Sequence, residues 1–194
     1  SYTFSSTESG NISYGGSCQA SNFPRATVDN NTITFDALAE GTYDNCTISV
    51  TDNTSNTSDY LTVSSFTIDM TAPTLDNVTI ASNNSDNTTL AKTGNVITLS
   101  ITSVGAIQAP SVKIAGQAAT VGSSSDNITW SAYYDMQSSD SEGTVSLNIV
   151  FSDLAGNPGD NVTSTTDNAT SVLFDRTAPT LDNVTIASSN PVST

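Results

Sequence analysis

Apolar and polar residues alternate along most of the chain, with β-branched or aromatic side chains at every second position. A period of two is typical of strands that bury one face, and clusters of Gly, Asn, Asp, Ser and Pro separate these segments. The pattern predicts strands at residues 31–38, 46–52, 61–69, 95–102, 111–116, 127–134 and 144–153. We therefore predict an all-β protein made of antiparallel β-sandwiches, with one short helical turn considered at 36–41.

One twelve-residue segment occurs twice. TAPTLDNVTIAS occupies residues 71–82 and recurs unchanged at 177–188, a spacing of 106 residues (177 minus 71). That spacing is about the size of one immunoglobulin-like sandwich. The repeat predicts two tandem immunoglobulin-like sandwiches at 1–70 and 71–176, with 177–194 as the linker and first strand of a following domain.

The C-terminal halves of the two predicted domains align with each other. VTDNTSNTSD at 50–59 matches FSDLAGNPGD at 151–160, and each domain ends in Asp-x-Thr-Ala-Pro. The matched positions are Asp52 with Asp153, Asn56 with Asn157, and Asp69 with Asp175. Pro73 and Pro179 fix their own φ and favour an extended residue before them, so we predict short, stiff linkers.

The first predicted domain lacks a strand that the second one has. Residues 74–82 provide the second domain's first strand, whereas the chain starts at SYTFSS, which looks like the middle of a strand and predicts a piece of something longer. Joining 177–194 to residue 1 would restore the strand. We expect another copy to follow, as covalent repeats or as subunits donating a strand by β-augmentation. The donated strand would contain Thr180, Leu181, Val184 and Ile186.

Composition narrows the class of partner. The 194 residues include four Lys plus Arg, nineteen Asp plus Glu and no His, for a net charge of −15. Such a surface disfavours nucleic acid and anionic membranes and favours hard cations. We expect no membrane span, since no stretch of about eighteen apolar residues occurs. The Ser-, Thr- and Asn-rich surface is common in extracellular and cell-surface proteins.

Few residues offer covalent or catalytic chemistry. Cys18 and Cys46 predict one disulfide in an oxidising compartment, with two buried free thiols as the alternative. Without His the usual general base is missing, and the chain has neither a phosphate-binding loop nor a nucleophile elbow. We therefore expect that the protein is not an enzyme.

Acidic and amide side chains at turns and linkers are candidate calcium ligands. Asp69 and Asp175 precede the linker prolines, and a second group lies in the repeated hairpin: Asp52, Asn56, Asp153 and Asn157. Calcium takes six to eight oxygen ligands, which such turns can supply. The alternative is that these side chains form turns and cap backbone groups.

The repeated motifs resemble a known family. D-x-A-G-N-x-x-D at 153–160 followed by F-D-x-T-A-P-T-L at 174–181 resembles the bacterial immunoglobulin-like repeats of giant surface adhesins. The resemblance covers essentially the whole chain, although the first domain has DNTSN in place of DLAGN. It implies stacked sandwiches projected from a cell, often stiffened by calcium near the junctions. It implies no surface ligand, because adhesion in such proteins usually resides in a dedicated terminal domain.

Two aromatic residues sharpen the fold prediction. GTYDNC at 41–46 is similar to the tyrosine corner of immunoglobulin domains, in which the Tyr43 hydroxyl would tie a loop to the strand. The alternative is an ordinary tyrosine at the core's edge. Trp130 alternates in register with Ile128, so we expect it in the core.

The expected function is that of a structural repeat unit of an extracellular fibre or stalk, acting mechanically as a stiff spacer. The first alternative is a self-assembling filament subunit joined by its C-terminal strand. The second is a carbohydrate-binding module, which would need a flat face of Thr or exposed aromatic residues.

Overall fold

The chain folds as an all-β protein with two compact units. In this computed structural model, residues 1–20, 25–167 and 169–189 are described, and they contain strands and no helix. Unit 1 is Ser1–Thr71 and unit 2 is Ala72–Thr194, so the division lies one residue from the predicted boundary at 70/71. The last five residues of the predicted segment 177–194 lie outside the described residues.

Unit 1 pairs its strands antiparallel in several small sheets. Strands β1 and β4 pair together, β2 lies between β3 and β6, β6 also pairs with β7, and β5 pairs with β8. The strands are β1 Tyr2–Ser6, β2 Gly10–Gly15, β3 Arg25–Ala26, β4 Asp29–Ile33, β5 Gly41–Tyr43, β6 Thr47–Asp52, β7 Leu61–Thr62 and β8 Phe66–Ile68.

Two sequence predictions for unit 1 need correction. The helical turn considered at 36–41 does not form, because Gly41 has φ 148° and begins a strand. The predicted strand 61–69 is two short strands, since β7 pairs with β6 whereas β8 pairs with β5. The chain therefore crosses from one sheet to another within this segment.

Unit 2 has longer strands and a larger core. Its main sheet has the order β14-β15-β11-β9, a second sheet has the order β13-β12-β17, and β18 lies between β10 and β16. The strands are β9 Leu75–Ser82, β10 Leu90–Ala91, β11 Val96–Ser103, β12 Ser111–Ile114, β13 Gln117–Ala118, β14 Thr120–Val121, β15 Thr129–Asp135, β16 Gly143–Thr144, β17 Leu147–Val150 and β18 Leu173–Phe174.

Each unit encloses its own apolar core between sheets, an arrangement consistent with a β-sandwich. In β11 the buried side chains alternate along the strand as the sequence pattern predicts, with Ile97, Leu99 and Ile101 fully enclosed. Trp130 is buried in the same core, as predicted. Unit 1 builds its smaller core around Phe4, and Cys18 and Cys46 form the predicted disulfide inside it.

The two units repeat one pairing scheme. β1 pairs with β4 as β11 pairs with β15, β2 pairs with β6 as β12 pairs with β17, and β5 pairs with β8 as β16 pairs with β18. Ile48 faces Leu61 in unit 1, and Ile149 faces Val162 in unit 2. The described residues of unit 1 contain no counterpart of β9 or β10.

Within the described ranges, no helix has the length and apolar character needed to cross a membrane.

Candidate functional site

The twelve repeated residues occupy two different environments. The first copy contains the whole of β9, in which Val78 is fully buried and Ile80 is 5% exposed. In the second copy residues 177–189 form no strand, and the candidate strand residue Thr180 is exposed. Leu181, Val184 and Ile186 are 89%, 82% and 99% exposed. The same sequence is thus a strand of the core in one place and an exposed segment without strand structure in the other.

Strand β9 is held on both sides within unit 2. On one side it pairs antiparallel with β11, with Val78 opposite Ile101 and Ile80 opposite Leu99. On the other side Val78 donates its backbone N–H to Thr166 Oγ1 at 2.9 Å and accepts from Thr166 N at 3.1 Å. Ile80 N donates to Thr170 Oγ1 at 3.4 Å. These contacts show what the exposed copy would need in order to fold as β9 does.

Strand β1 is the counterpart of β11 but has one neighbour fewer. Within the described residues β1 pairs with β4 alone, whereas β11 lies between β15 and β9. Among the described residues, the edge of β1 that corresponds to the β9 side of β11 therefore has no strand beside it. Such an edge presents unpaired backbone groups and can accept an added strand.

A cleft of about 470 Å³ opens in unit 1 at the Tyr2 end of β1. Its apolar lining includes Tyr2, Val63, Phe66 and Ile68, and residues between β4 and β5 also line it. Phe35 also lines it and stacks on Phe66 with ring centroids 6.5 Å apart. We call this feature, together with the open edge of β1, the unit 1 acceptor groove.

Both units end in the same hydrogen-bonded turn. Asp69 Oδ1 accepts from Thr71 N at 3.0 Å, and Asp175 Oδ1 accepts from Thr177 N at 2.8 Å. Thr71 Oγ1 donates to the Glu40 carboxylate at 2.9 Å.

In unit 2, Thr177 Oγ1 donates to Glu142 Oε1 at 2.7 Å. The hydroxyl of Thr177 lowers the pKa of Glu142, as does the backbone N–H of Arg176. We call each Asp–Thr–Glu set an exit clamp, because it ties the start of the linker to the unit that the chain is leaving. The predicted metal ligands Asp69 and Asp175 are used in these clamps.

The other predicted metal ligands cap the repeated hairpin. Asp52 accepts hydrogen bonds from Asn56 and Thr54, and these bonds lower the pKa of its carboxyl to about 2. Burial of Asp153 opposes ionisation, but the bonds donated by Asn157 and Gly156 outweigh it and lower the pKa of Asp153. These contacts match the alternative prediction, in which the side chains form turns and cap backbone groups.

These donor sets do not resemble a preformed calcium site. The Asn56 and Asn157 side chains direct N–H groups, not oxygens, at the carboxylates of Asp52 and Asp153. In the described part of the chain, no group of three or more His, Cys, Asp or Glu side chains could hold a metal ion. Calcium also binds carbonyl, amide and water oxygens. Its binding therefore stays a prediction.

Tyr43 forms the predicted corner contact. Its hydroxyl donates to the backbone carbonyl of Ala39 at 3.0 Å, four residues upstream. The ring stacks on Phe66 with centroids 5.3 Å apart. The phenol thus ties the loop before β5 to the strand, as a tyrosine corner does.

Sequence reasoning missed the two clamp glutamates. Glu40 and Glu142 each precede Gly-Thr, so the tripeptide Glu-Gly-Thr occurs at 40–42 and again at 142–144. Both glycines have positive φ, 148° at Gly41 and 120° at Gly143. A search for short repeats in addition to the long one would have found this signal.

No family model, curated protein or solved structure matches this chain.

Proposed function

We propose that this chain is a structural repeat unit of an extracellular fibre or stalk, in which two immunoglobulin-like sandwiches act as a stiff spacer. The observation that carries the proposal is the repetition of one strand scheme with the same exit clamp at the end of each unit. Repeated units joined by short, anchored linkers extend a chain at a fixed spacing.

An immunoglobulin-like identity for the units is supported by local features of unit 1. The Tyr43 hydroxyl bonds to the backbone four residues upstream, and the Cys18–Cys46 disulfide is completely buried. Both features occur in immunoglobulin sandwiches. Unit 2 has the same pairing scheme with Trp130 in its core and no disulfide among its described residues.

An extracellular location is supported by the disulfide and by the surface chemistry. Disulfides persist in oxidising compartments, whereas cytosolic thiols are kept reduced. A net charge of −15 from nineteen acidic residues keeps such a surface hydrated and self-repelling. Both properties suit a spacer that stands away from a cell.

The exit clamps support a stiff linker after each unit. Each clamp fixes the residue two positions before the linker proline, and the proline fixes its own φ. Few rotatable bonds then remain at the start of each linker. If calcium also binds at these junctions, as the family resemblance implies, a chelator will lower the melting temperature.

The test is small-angle X-ray scattering of the chain and of a genetic fusion of two copies. We expect the maximum dimension of the fusion to grow in proportion to its length and to fall in the variant Glu40→Ala/Glu142→Ala. Glu8→Ala/Asp86→Ala is the matched control, because it also removes two negative charges, from exposed positions outside the clamps. A fusion no longer than a compact globule would contradict the proposal.

A second candidate function is that of a filament subunit whose C-terminal strand completes its neighbour. The observation that favours it is the exposed second copy of TAPTLDNVTIAS together with the unit 1 acceptor groove. The two candidates share head-to-tail order and differ in whether a peptide bond links the copies.

A further inference from the structure

We infer that the unit 1 acceptor groove binds residues 180–188 of a second copy of this chain as an antiparallel strand, in one register. The inference deepens the proposed function and rests on it, since it assumes that copies follow one another head to tail. It names the partner and the residues that meet.

The occupant is identified by what fills the corresponding position in unit 2. Strand β9 follows directly from the exit clamp of unit 1 and completes the next unit along the chain. Residues 180–188 follow the exit clamp of unit 2 in the same way and have the sequence of 74–82. By this rule they complete the unit that comes next, and unit 1 of another copy is a unit whose described residues leave that position open.

The register follows from matching β1 to β11. Gly10 pairs with Asp52 in unit 1, and Ile107 bridges to Asp153 in unit 2, at the repeated hairpin. Three residues separate each of these positions from the end of the preceding strand, so Ser6 corresponds to Ser103. Counting back two and four residues matches Phe4 to Ile101 and Tyr2 to Leu99. The burial pattern agrees, because Phe4 and Ile101 are both buried.

This match predicts the facing residues across the new strand pair. Since Ile101 faces Val78 and Leu99 faces Ile80, we expect Val184 opposite Phe4 and Ile186 opposite Tyr2. Opposite residues of an antiparallel pair lie on the same face of the sheet. Both apolar side chains would therefore point toward the core of unit 1.

The cleft lies beside Tyr2, the residue that Ile186 would face. In unit 2 the segment between Val162 and β18 provides the groups that bond to β9. Its counterpart in unit 1 is the segment between β7 and β8, which includes Val63 and lines the cleft together with Tyr2 and Phe66. Ile186, 99% exposed in the single chain, would enter this cleft of about 470 Å³.

The opposite face of the new pair would be polar. Ser100 faces Thr79 in unit 2, so the same register sets Thr185 opposite Thr3. Thr102 faces Asn77, which sets Asn183 opposite Ser5. A shift by one residue would turn Val184 and Ile186 outward, so the apolar alternation favours a single register.

The first experiment is sedimentation velocity of the 194-residue chain over a range of concentrations. We expect concentration-dependent association that is lost in Ile186→Asp and kept in Leu154→Asp, which places the same charge at another exposed apolar position. A synthetic peptide of residues 178–188 should bind the chain and block association. The same peptide with aspartate in place of Ile186 should do neither.

The second experiment tests the register by mixing singly substituted chains in pairs. Mixing Thr3→Cys with Thr185→Cys under mild oxidation should give a disulfide between chains. Mixing Thr3→Cys with Asn183→Cys should give little, because that pair would be two residues out of register. Cysteine pairs need Cα atoms within about 7 Å, so the yield reports the alignment.

The outcomes separate this inference from the proposed function. Association that survives Ile186→Asp, or equal yield from both cysteine mixtures, overturns the inference while leaving a fibre formed by another surface. A chain that stays monomeric and ignores the peptide also overturns it. A crosslink within one chain of the double variant Thr3→Cys/Thr185→Cys, without association, shows that the strand closes on its own unit 1. The proposed function fails separately, in the scattering test of the two-copy fusion.

Discussion

The first copy of TAPTLDNVTIAS and the second copy have the same residues and opposite exposure. Ile80 is 5% exposed in β9, and Ile186, the matching residue of the second copy, is 99% exposed. Strand propensity is identical in the two copies, so it cannot account for the difference. The difference is that β11 and the segment around Thr166 lie beside the first copy. Tertiary neighbours, more than local sequence, therefore decide whether this segment is a strand.

The largest predicted effect comes from placing one charge in each copy. Ile80→Asp should cost unit 2 more than about 4 kcal/mol of unfolding free energy, because it buries an unpaired carboxylate. Ile186→Asp should leave the unfolding free energy of the dilute chain unchanged. Urea unfolding of both variants measures the two values. Equal losses would show that the second copy is already packed in the single chain.

The disulfide is the next largest difference between the units. Cys18 and Cys46 are 28 residues apart, and opening a loop of that size should cost unit 1 about 3–4 kcal/mol by the loop-entropy relation. Cys18→Ser/Cys46→Ser should therefore lower the melting temperature of unit 1 and leave the melting temperature of unit 2 unchanged. Calorimetry with and without a reductant checks this, since a reductant should reproduce the variant's effect. A shift of both transitions would contradict independent units.

A smaller effect is expected at the second side of β9. Thr166→Val removes the hydroxyl that accepts from Val78 N and should cost unit 2 about 1 kcal/mol. Thr166→Ser is the matched control, because it keeps the oxygen and loses a methyl group. Urea midpoints of the two variants give the comparison. No loss in Thr166→Val would mean that water replaces the hydroxyl and that β11 alone holds the strand.

The smallest effect concerns acid stability. The pKa of Asp52 is lowered to about 2, so its hydrogen bonds stabilise unit 1 above the unfolded-state pKa near 4. This contribution is lost as the pH falls from about 4 toward 2. Asp52→Asn should flatten the pH dependence of the unit 1 transition in that window, measured by urea unfolding at several pH values. A wild-type transition that does not weaken between pH 4 and 2 would contradict the assignment.

Sequence predicted the parts of the fold in which apolar alternation is long and strong. β11 was predicted at 95–102 and forms at Val96–Ser103, because its three isoleucine and leucine side chains all point into one core. The segment 61–69 has the same alternation but splits into β7 and β8, since their partners belong to different sheets. Alternation reports a buried face and carries no information about which strand lies alongside.

The candidate site was predictable only in part. The repeat located the segment 180–188, and the alignment of the two units predicted that the described residues of unit 1 contain no counterpart of β9. The cleft beside Tyr2 could not be predicted, because it depends on how Val63 and Phe66 pack against β1. Glu40 and Glu142 were missed because a glutamate before glycine looks like an ordinary exposed turn residue until its partner is seen.

The most direct test of the central claim is hydrogen–deuterium exchange of the chain at low and at high concentration. The account predicts that backbone amides of Tyr2–Ser6 and of residues 181–187 become protected together as copies associate, while β9 is protected throughout. Protection that appears elsewhere, or association that leaves both segments exchanging freely, would contradict the account.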